Sequence, residues 1–478
     1  MTLKKIREKL DNKDISAIEL TKEYLNKIKE KDTHINSFIT VLEDEALNDA
    51  KSAQEVIDKG AAYGMCGIPL SVKDNICTKG IKTTCASNIL KDFIPPYDAT
   101  VIKKLKSENA VILGKNNMDE FAMGSTNKNS YFGRCKNPYN PEFITGGSSG
   151  GSAASVSAGL TPVSLGTDTG GSVRQPAAFC GVCGIKPTYG TVSRFGLIAF
   201  ASTMDQIGVL ANHPEDLGFL LNTISGYDEN DQTTAKIPKT DYLSEINISL
   251  KGLKIGIPKE FFSEKVDSQI KEAVFRVLDF YKVNGAKVYE VSLPSLPLAV
   301  SGYYLISSAE AASNLSRFDG IGYGLTDDNA KSYIELIKNS RTGGFSKEVK
   351  RRLLLGNYAL SSGYYEEYYK NALKIRQKIV SEYEDIFKIC DVILTPTTPN
   401  TSYDASIENP NPTADYLQDI LTVTQNISGF PAITFPCGYD SKGMPIGASF
   451  TGNAFCDNKI IGISSHFTNS FSKKEAII

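Results

Sequence analysis

The sequence predicts an α/β protein with a mostly parallel central sheet. Short apolar runs bounded by turn residues alternate with stretches of helical period in three places: over 16–113, around 146–176 and over 253–292. Strands that alternate with helices tend to pair in parallel, because the helix supplies the crossover that a tight turn cannot. The composition agrees: 41% hydrophobic and 22% charged residues describe an ordinary globular chain. Its 478 residues could fill two or three average domains. No repeat, long linker or low-complexity tract divides them, so a single domain over 1–478 is expected, with a helical insertion around 300–390.

Residues 16–31 read as an amphipathic helix. Ser16 and Glu19 are spaced as a capping box, and Ile18, Leu20, Tyr24 and Leu25 fall on or near one face. A strand is expected at 36–42 and a helix at 43–59, closed by Gly60. Residues 67–72 form a short apolar strand that delivers Lys73, Asp74 and Asn75. A helix at 98–108 precedes a buried strand at 110–113. The stretch 146–176 places a small-residue helix and a strand at 163–166 between two glycine-serine clusters, with another helix beginning near Ser172. After turn-rich residues 183–196, strand 253–257, helix 267–283 and strand 286–292 form the third alternation. Residues 303–390 are mainly helical, most clearly at 347–360 and 364–388. A buried strand at 392–394 stops at Thr395-Pro396, and 397–413 read as a surface loop. The tail from Ile433 is short strands and a last helix.

The net charge is −2, from 52 basic and 54 acidic residues, so the whole chain offers no electrostatic case for nucleic acid or anionic membrane. The N-terminus, MTLKKIREKL, is too charged for a signal peptide, and no apolar run is long enough for a membrane span. Nine scattered cysteines suggest reduced thiols and a cytoplasmic protein. Cys180 and Cys183 form a CxxC, read as two small buried thiols because no second pair or nearby histidine completes a zinc site.

The clusters at 146–152 and 166–172 carry Ser148 and Ser172, 24 positions apart. Glycine admits positive φ and close backbone approach, so such a segment suits a site built from amides and hydroxyls. Thr169, Gly170, Gly171 and Ser172 link the strand to the next helix. Their consecutive N–H groups would converge as an oxyanion hole, where one donor is worth about 3 kcal/mol of barrier. A serine nucleophile also needs a base. The three histidines, His34, His213 and His466, lie away from this stretch, which leaves a Ser-His-Asp triad as the lesser alternative. A lysine acts as a base when burial lowers its pKa from about 10.4 towards neutrality. Lys73, at the end of an apolar strand, is the candidate. Asp74 projects to the opposite face and need not pair with it. Phosphate binding is the weaker reading, since neither cluster spells a P-loop or a dinucleotide fingerprint.

The run Gly146-Gly147-Ser148-Ser149-Gly150-Gly151-Ser152 through Asp168-Thr169-Gly170-Gly171-Ser172-Val173-Arg174-Gln175-Pro176 resembles the amidase signature, a long and specific motif. Lys73, within Ser71-Val72-Lys73-Asp74-Asn75, is similar to that family's catalytic lysine. The resemblance implies the amidase-signature fold, a central mixed, mostly parallel sheet covered by helices on both faces. It implies a Ser–cis-Ser–Lys triad, with Ser172 as nucleophile, Ser148 after a cis peptide as proton carrier, and Lys73 as base and later acid. The amides of Thr169, Gly170, Gly171 and Ser172 would form the oxyanion hole.

Within the family, the chain resembles the A-subunit branch of glutamyl-tRNA(Gln) amidotransferases as far as about residue 450. The match includes Asn117-Met118-Asp119-Glu120-Phe121, Lys186-Pro187-Thr188-Tyr189-Gly190 and Ser313-Asn314-Leu315-Ser316-Arg317-Phe318-Asp319-Gly320. That branch implies hydrolysis of the glutamine side-chain amide, no cofactor in this subunit, and ammonia passed to a partner. It implies subunits B and C in a heterotrimer, with Glu-tRNA(Gln) bound mainly by the partner and activated there with ATP and Mg. Tyr303, Arg352 and Asp419 resemble its glutamine clamp; a forked guanidinium suits the α-carboxylate and a carboxylate suits the ammonium. Taken alone, Arg352 would read as part of a solvated basic run and Asp419 as a surface helical acid. The alternative functions are a stand-alone amidase for a small amide and a catalytically silent scaffold subunit. The chain departs from the family's usual residues at Lys128, Gly322, Val209, Thr424-Gln425 and Ala448-Ser449, none of them in the triad.

Overall fold

The computed structural model describes residues 1–407 and 416–478. The loop read at 397–413 therefore lies partly outside the described residues, from 408 onward. Thirteen strands are described: β1 (Phe38–Val41), β2 (Pro69–Lys73), β3 (Val111–Asn116), β4 (Lys136–Asn137), β5 (Asn140–Ile144), β6 (Val163–Asp168), β7 (Cys183–Lys186), β8 (Gln206–Ala211), β9 (Lys254–Pro258), β10 (Lys287–Val291), β11 (Val392–Pro396), β12 (Ala432–Tyr439) and β13 (Pro445–Gly452). β4 and β5 pair alone. The other eleven form one sheet in the order β1-β3-β2-β6-β8-β7-β12-β13-β11-β9-β10.

The sheet is mixed, as expected, and its parallel character is concentrated. β3, β2 and β6 run parallel, as do β11, β9 and β10. Between these runs the pairs β6–β8, β8–β7, β7–β12, β12–β13 and β13–β11 are antiparallel, and β1 closes one edge antiparallel to β3. The parallel runs coincide with the alternations legible in the sequence. β2, β3, β6, β7 and β8 are buried at every position, so both faces of the sheet are covered there.

Local chemistry sets the element ends. The helix Ala17–Ile35 begins at the Ser16–Glu19 capping box and stops at Asn36, whose φ is 60°. Three acidic residues occupy the first turn of Glu43–Asp58, where the helix dipole favours them. Two elements differ from expectation. The helix after the second glycine cluster is Arg174–Phe179, starting two residues later than Ser172. The segment 364–388 is a π-helical turn, Tyr365–Tyr369, followed by the helix Lys370–Phe387.

The region around 300–390 supplies the helices that face the glycine clusters. Leu296–Asn314 packs on Lys347–Leu360, and Gly356 permits the contact: a Cβ there would strike the Ser308 carbonyl. This crossing sets Tyr303 and Tyr304 opposite Arg352. Among the described residues no helix is long and apolar enough to cross a membrane.

Candidate active site

β2 ends at Lys73 and carries its side chain wholly into the core. The Nζ donates to Ser148 Oγ at 2.7 Å, Thr167 Oγ1 at 2.8 Å, Ser149 Oγ at 2.9 Å and the Thr167 carbonyl at 3.4 Å. All four partners are neutral oxygens. Asp74 lies on the other face of the strand, 3.7 Å from Lys115 and hydrogen-bonded by Thr84. Burial therefore dominates and brings the Lys73 ammonium down to about 7, against the weaker pull of Asp119, Asp168 and Asp205.

The Gly147–Ser148 peptide is cis. Ser148 and Ser149 are fully buried, whereas Ser172 is 8% exposed. The Ser149 amide donates to the Ser172 carbonyl at 3.0 Å, tying the two glycine clusters together. The structure thus brings Lys73 and Ser148 into a direct hydrogen bond and sets Ser172 beside them through backbone.

A buried ion pair shapes the loop at 169–172. Arg174 approaches Asp168 with both Nε, at 3.0 Å, and a terminal nitrogen, at 3.1 Å. The same guanidinium donates to Gln425 Oε1, the Thr422 carbonyl and Asn426 Oδ1. Burial would raise the Asp168 carboxyl, but Arg174, Lys186 and Asn426 hold it at about 2. Asp168 also accepts from the amides of Gly171, at 2.8 Å, and Val173, at 3.2 Å. This corrects two expectations. The Gly171 amide is committed to Asp168, leaving Thr169, Gly170 and Ser172 as the oxyanion donors to consider. The helix starts at Arg174 because Gly171, at φ 128°, is not helical, and Asp168 satisfies the free amides ahead of the first turn. Both glycines are required here. A Cβ on Gly170 would lie 2.5 Å from the Tyr303 hydroxyl, and Gly171 has φ 128° with Thr422 against it.

Tyr303, Arg352 and Asp419 come together around one ring. Arg352 is 4% exposed, and its guanidinium carbon lies 4.9 Å from the Tyr304 ring centroid and 5.4 Å from that of Tyr416. The Tyr304 hydroxyl donates to Asp419 Oδ2 at 2.8 Å. Tyr304 and Tyr416 stack with centroids 4.0 Å apart. Burial, opposed by Tyr304 and Arg352, raises the Asp419 carboxyl to about 7. The solvated-face readings of Arg352 and Asp419 are both overturned by this burial. A cavity of about 190 Å³ opens beside Arg352, lined also by Glu348, Tyr416 and Thr126.

Other expected residues lie elsewhere. His34 is in the last turn of Ala17–Ile35, His213 caps Pro214–Ile224 and His466 is in Asp457–Ser470. All nine cysteines are free thiols; Cys180 and Cys183 are buried. Among the described residues no group of three His, Cys, Asp or Glu side chains could hold a metal. Of the departures, Gln425 touches Arg174, Thr424 bonds the Tyr383 hydroxyl at 2.8 Å, and Ser449 bonds Thr397 and Thr434. Lys128 donates to the Ile407 carbonyl, and Gly322 is exposed. Sequence reasoning missed the roles of Asp168, Arg174, Tyr304 and Glu348. The first two stand inside the signature run, and that position was the available signal.

A family profile described as Amidase matches residues 19–461. The chain is 52% identical over 475 residues to the A subunit of a glutamyl-tRNA(Gln) amidotransferase of Ruminiclostridium cellulolyticum, covering 99% of this chain and 98% of that one. It is 51% identical over 462 residues to the A subunit 2 of the glutamyl-tRNA(Gln) amidotransferase of Clostridium acetobutylicum, covering 96% and 97%. Among solved structures, the A subunit of a glutamyl-tRNA(Gln) amidotransferase from Thermotoga maritima superposes with a TM-score of 0.79 at 39% identity, over 96% of this chain and 93% of that one. A peptide amidase from Stenotrophomonas maltophilia gives 0.84 at 26% identity, over 98% and 97%. With relatives half identical to it end to end, and with the signature run folded around a buried lysine, this chain belongs to the amidase family.

Proposed function

We propose that the chain is the glutamine-hydrolysing subunit of a tRNA-dependent amidotransferase. The observation that carries the chemistry is Lys73, fully buried among neutral oxygens and 2.7 Å from Ser148 Oγ. The substrate rests on the full-length relatives and on the paired Arg352 and Asp419. Ser172 Oγ attacks the side-chain amide carbon, and its proton passes through Ser148 to neutral Lys73. The amides of Thr169, Gly170 and Ser172 hold the oxyanion. Collapse breaks the C–N bond, and the proton returns from Lys73 to the departing ammonia. Water, deprotonated by Lys73, then cleaves the glutamyl ester on Ser172 and releases glutamate. Arg352 takes the α-carboxylate, Asp419 the ammonium, and Tyr303 closes the pocket over Gly170.

Ammonia then serves a partner. The names of the relatives support a multi-subunit complex, read as a heterotrimer with subunits B and C in the cytoplasm. The partner binds Glu-tRNA(Gln) and converts it to Gln-tRNA(Gln) with ATP and Mg, while this subunit uses no cofactor. The test is ammonia release from glutamine by the assembled complex, with the acyl-enzyme trapped at Ser172 and detected as a mass increment. The increment should be absent in Ser172→Ala. Glutamine turnover without a Ser172 adduct would refute the reading.

A further inference from the structure

We infer that Glu348 is a positioning residue for the α-carboxylate subsite. It turns the guanidinium of Arg352 so that only one edge is offered to substrate. This rests on the reading of Arg352 as part of a glutamine clamp.

Glu348 stands in the first turn of Lys347–Leu360, opened by Ser346, whose hydroxyl accepts from the Val349 amide. Its Oε1 accepts from Arg352 Nε at 2.8 Å and from the Tyr416 hydroxyl at 2.9 Å. Its Oε2 is bonded by Arg351. The residue is 9% exposed, and Arg352 and Tyr416 hold its carboxyl below the usual range although burial opposes them. The anion is thus fixed on both oxygens.

Arg352 has five donors on a rigid plane. The Nε donor is spent on Glu348, and the stacked rings of Tyr304 and Tyr416 pack against one side of the guanidinium. The terminal nitrogens form no hydrogen bond with another described residue, and Arg352 and Glu348 both line the cavity of about 190 Å³. A carboxylate is best received end-on by two parallel N–H groups. Glu348 and Tyr416 therefore decide where that pair of donors points. Without them the guanidinium would be free to rotate about its last bonds beside the Tyr304 ring.

The test uses the assembled complex and glutamine as substrate. Glu348→Ala should raise KM about 10-fold or more, while kcat stays within about threefold, because binding shared by ground and transition states is lost. Glu348→Gln retains an oxygen that accepts both bonds and should bring KM back to within about threefold of wild type. Competition by 4-aminobutanamide, which is glutamine without its α-carboxylate, should change by less than about threefold in Glu348→Ala. A fall in kcat at unchanged KM, equal weakening of 4-aminobutanamide, or a Gln variant as poor as Ala would each overturn the inference. If the wild-type complex does not hydrolyse glutamine, the functional reading itself fails and takes this inference with it.

Discussion

Lys73 and Asp74 are adjacent in sequence and face opposite sides of β2: the lysine meets Ser148 at 2.7 Å, and the aspartate meets Lys115 at 3.7 Å. Strand alternation keeps apart two charges that would otherwise pair. Lys73 is left with neutral oxygens as its nearest partners. Lys73→Ala should then lower ammonia release by about 10²–10⁴-fold, the range of a lost general base. The far-UV circular dichroism and urea midpoint should stay near wild type, since a buried lysine without a counter-charge contributes little to stability. Near-normal glutaminase activity in this variant would remove Lys73 from the mechanism.

The pH dependence follows from the same burial. The Lys73 pKa is lowered from 10.5 to about 7, so the neutral, proton-accepting form prevails above about 7. kcat should rise through pH 7 and level off on the alkaline side. The sign for stability is the same. Between about 7 and 10.5 the unfolded chain holds a proton that the native lysine has released, so this group's contribution improves as pH rises across that window. A kcat profile flat from pH 6 to 8, measured under conditions where chemistry limits turnover, would contradict it.

Asp419 predicts a separate effect on KM. Its carboxyl is raised to about 7, so below that pH it is increasingly protonated and no longer an anion for the substrate ammonium. KM for glutamine should climb as pH falls from about 7.5 to 6. Asp419→Asn should abolish that slope while leaving the kcat limb of Lys73. Arg352→Ala should raise KM at every pH, by on the order of 10²-fold for a lost charge-assisted pair. Unaltered turnover of glutamine by Arg352→Ala would favour a stand-alone amidase of different substrate.

The Asp168–Arg174 pair predicts both stability and rate. Asp168→Asn leaves a buried guanidinium without its counter-charge and should destabilise the fold by about 3–5 kcal/mol, read from urea unfolding. It also weakens the acceptor for the Gly171 and Val173 amides, so kcat should fall in the surviving folded fraction. A variant with wild-type stability and kcat would show that the pair does not hold the loop.

The sequence made Lys73, Ser148 and Ser172 legible because their signals are local: a strand end and two glycine-serine clusters. The outer parallel runs were legible for the same reason, through alternation of strand and helix. β8 and the helix Pro214–Ile224 were not anticipated. β8 is buried at every position, so its sequence shows no alternation of apolar and polar residues. The Gly171 amide was assigned to the oxyanion hole because its capture by Asp168 depends on a carboxylate held in place by Arg174. The aromatic shell of Arg352 draws on residues around 200, 304 and 416, which nothing in the local sequence groups together.

The bonds from Arg174 to Thr422, Gln425 and Asn426 bridge about 250 residues of chain. During synthesis these contacts form only after the strands from β7 to β11 have emerged and residue 426 has left the ribosome. Long loops must close before such contacts repay their entropy. An unfinished chain can carry the whole signature run and still lack the clasp that shapes its catalytic loop. Competence is therefore acquired late, and nascent or truncated chains ending before residue 422 should release no ammonia from glutamine.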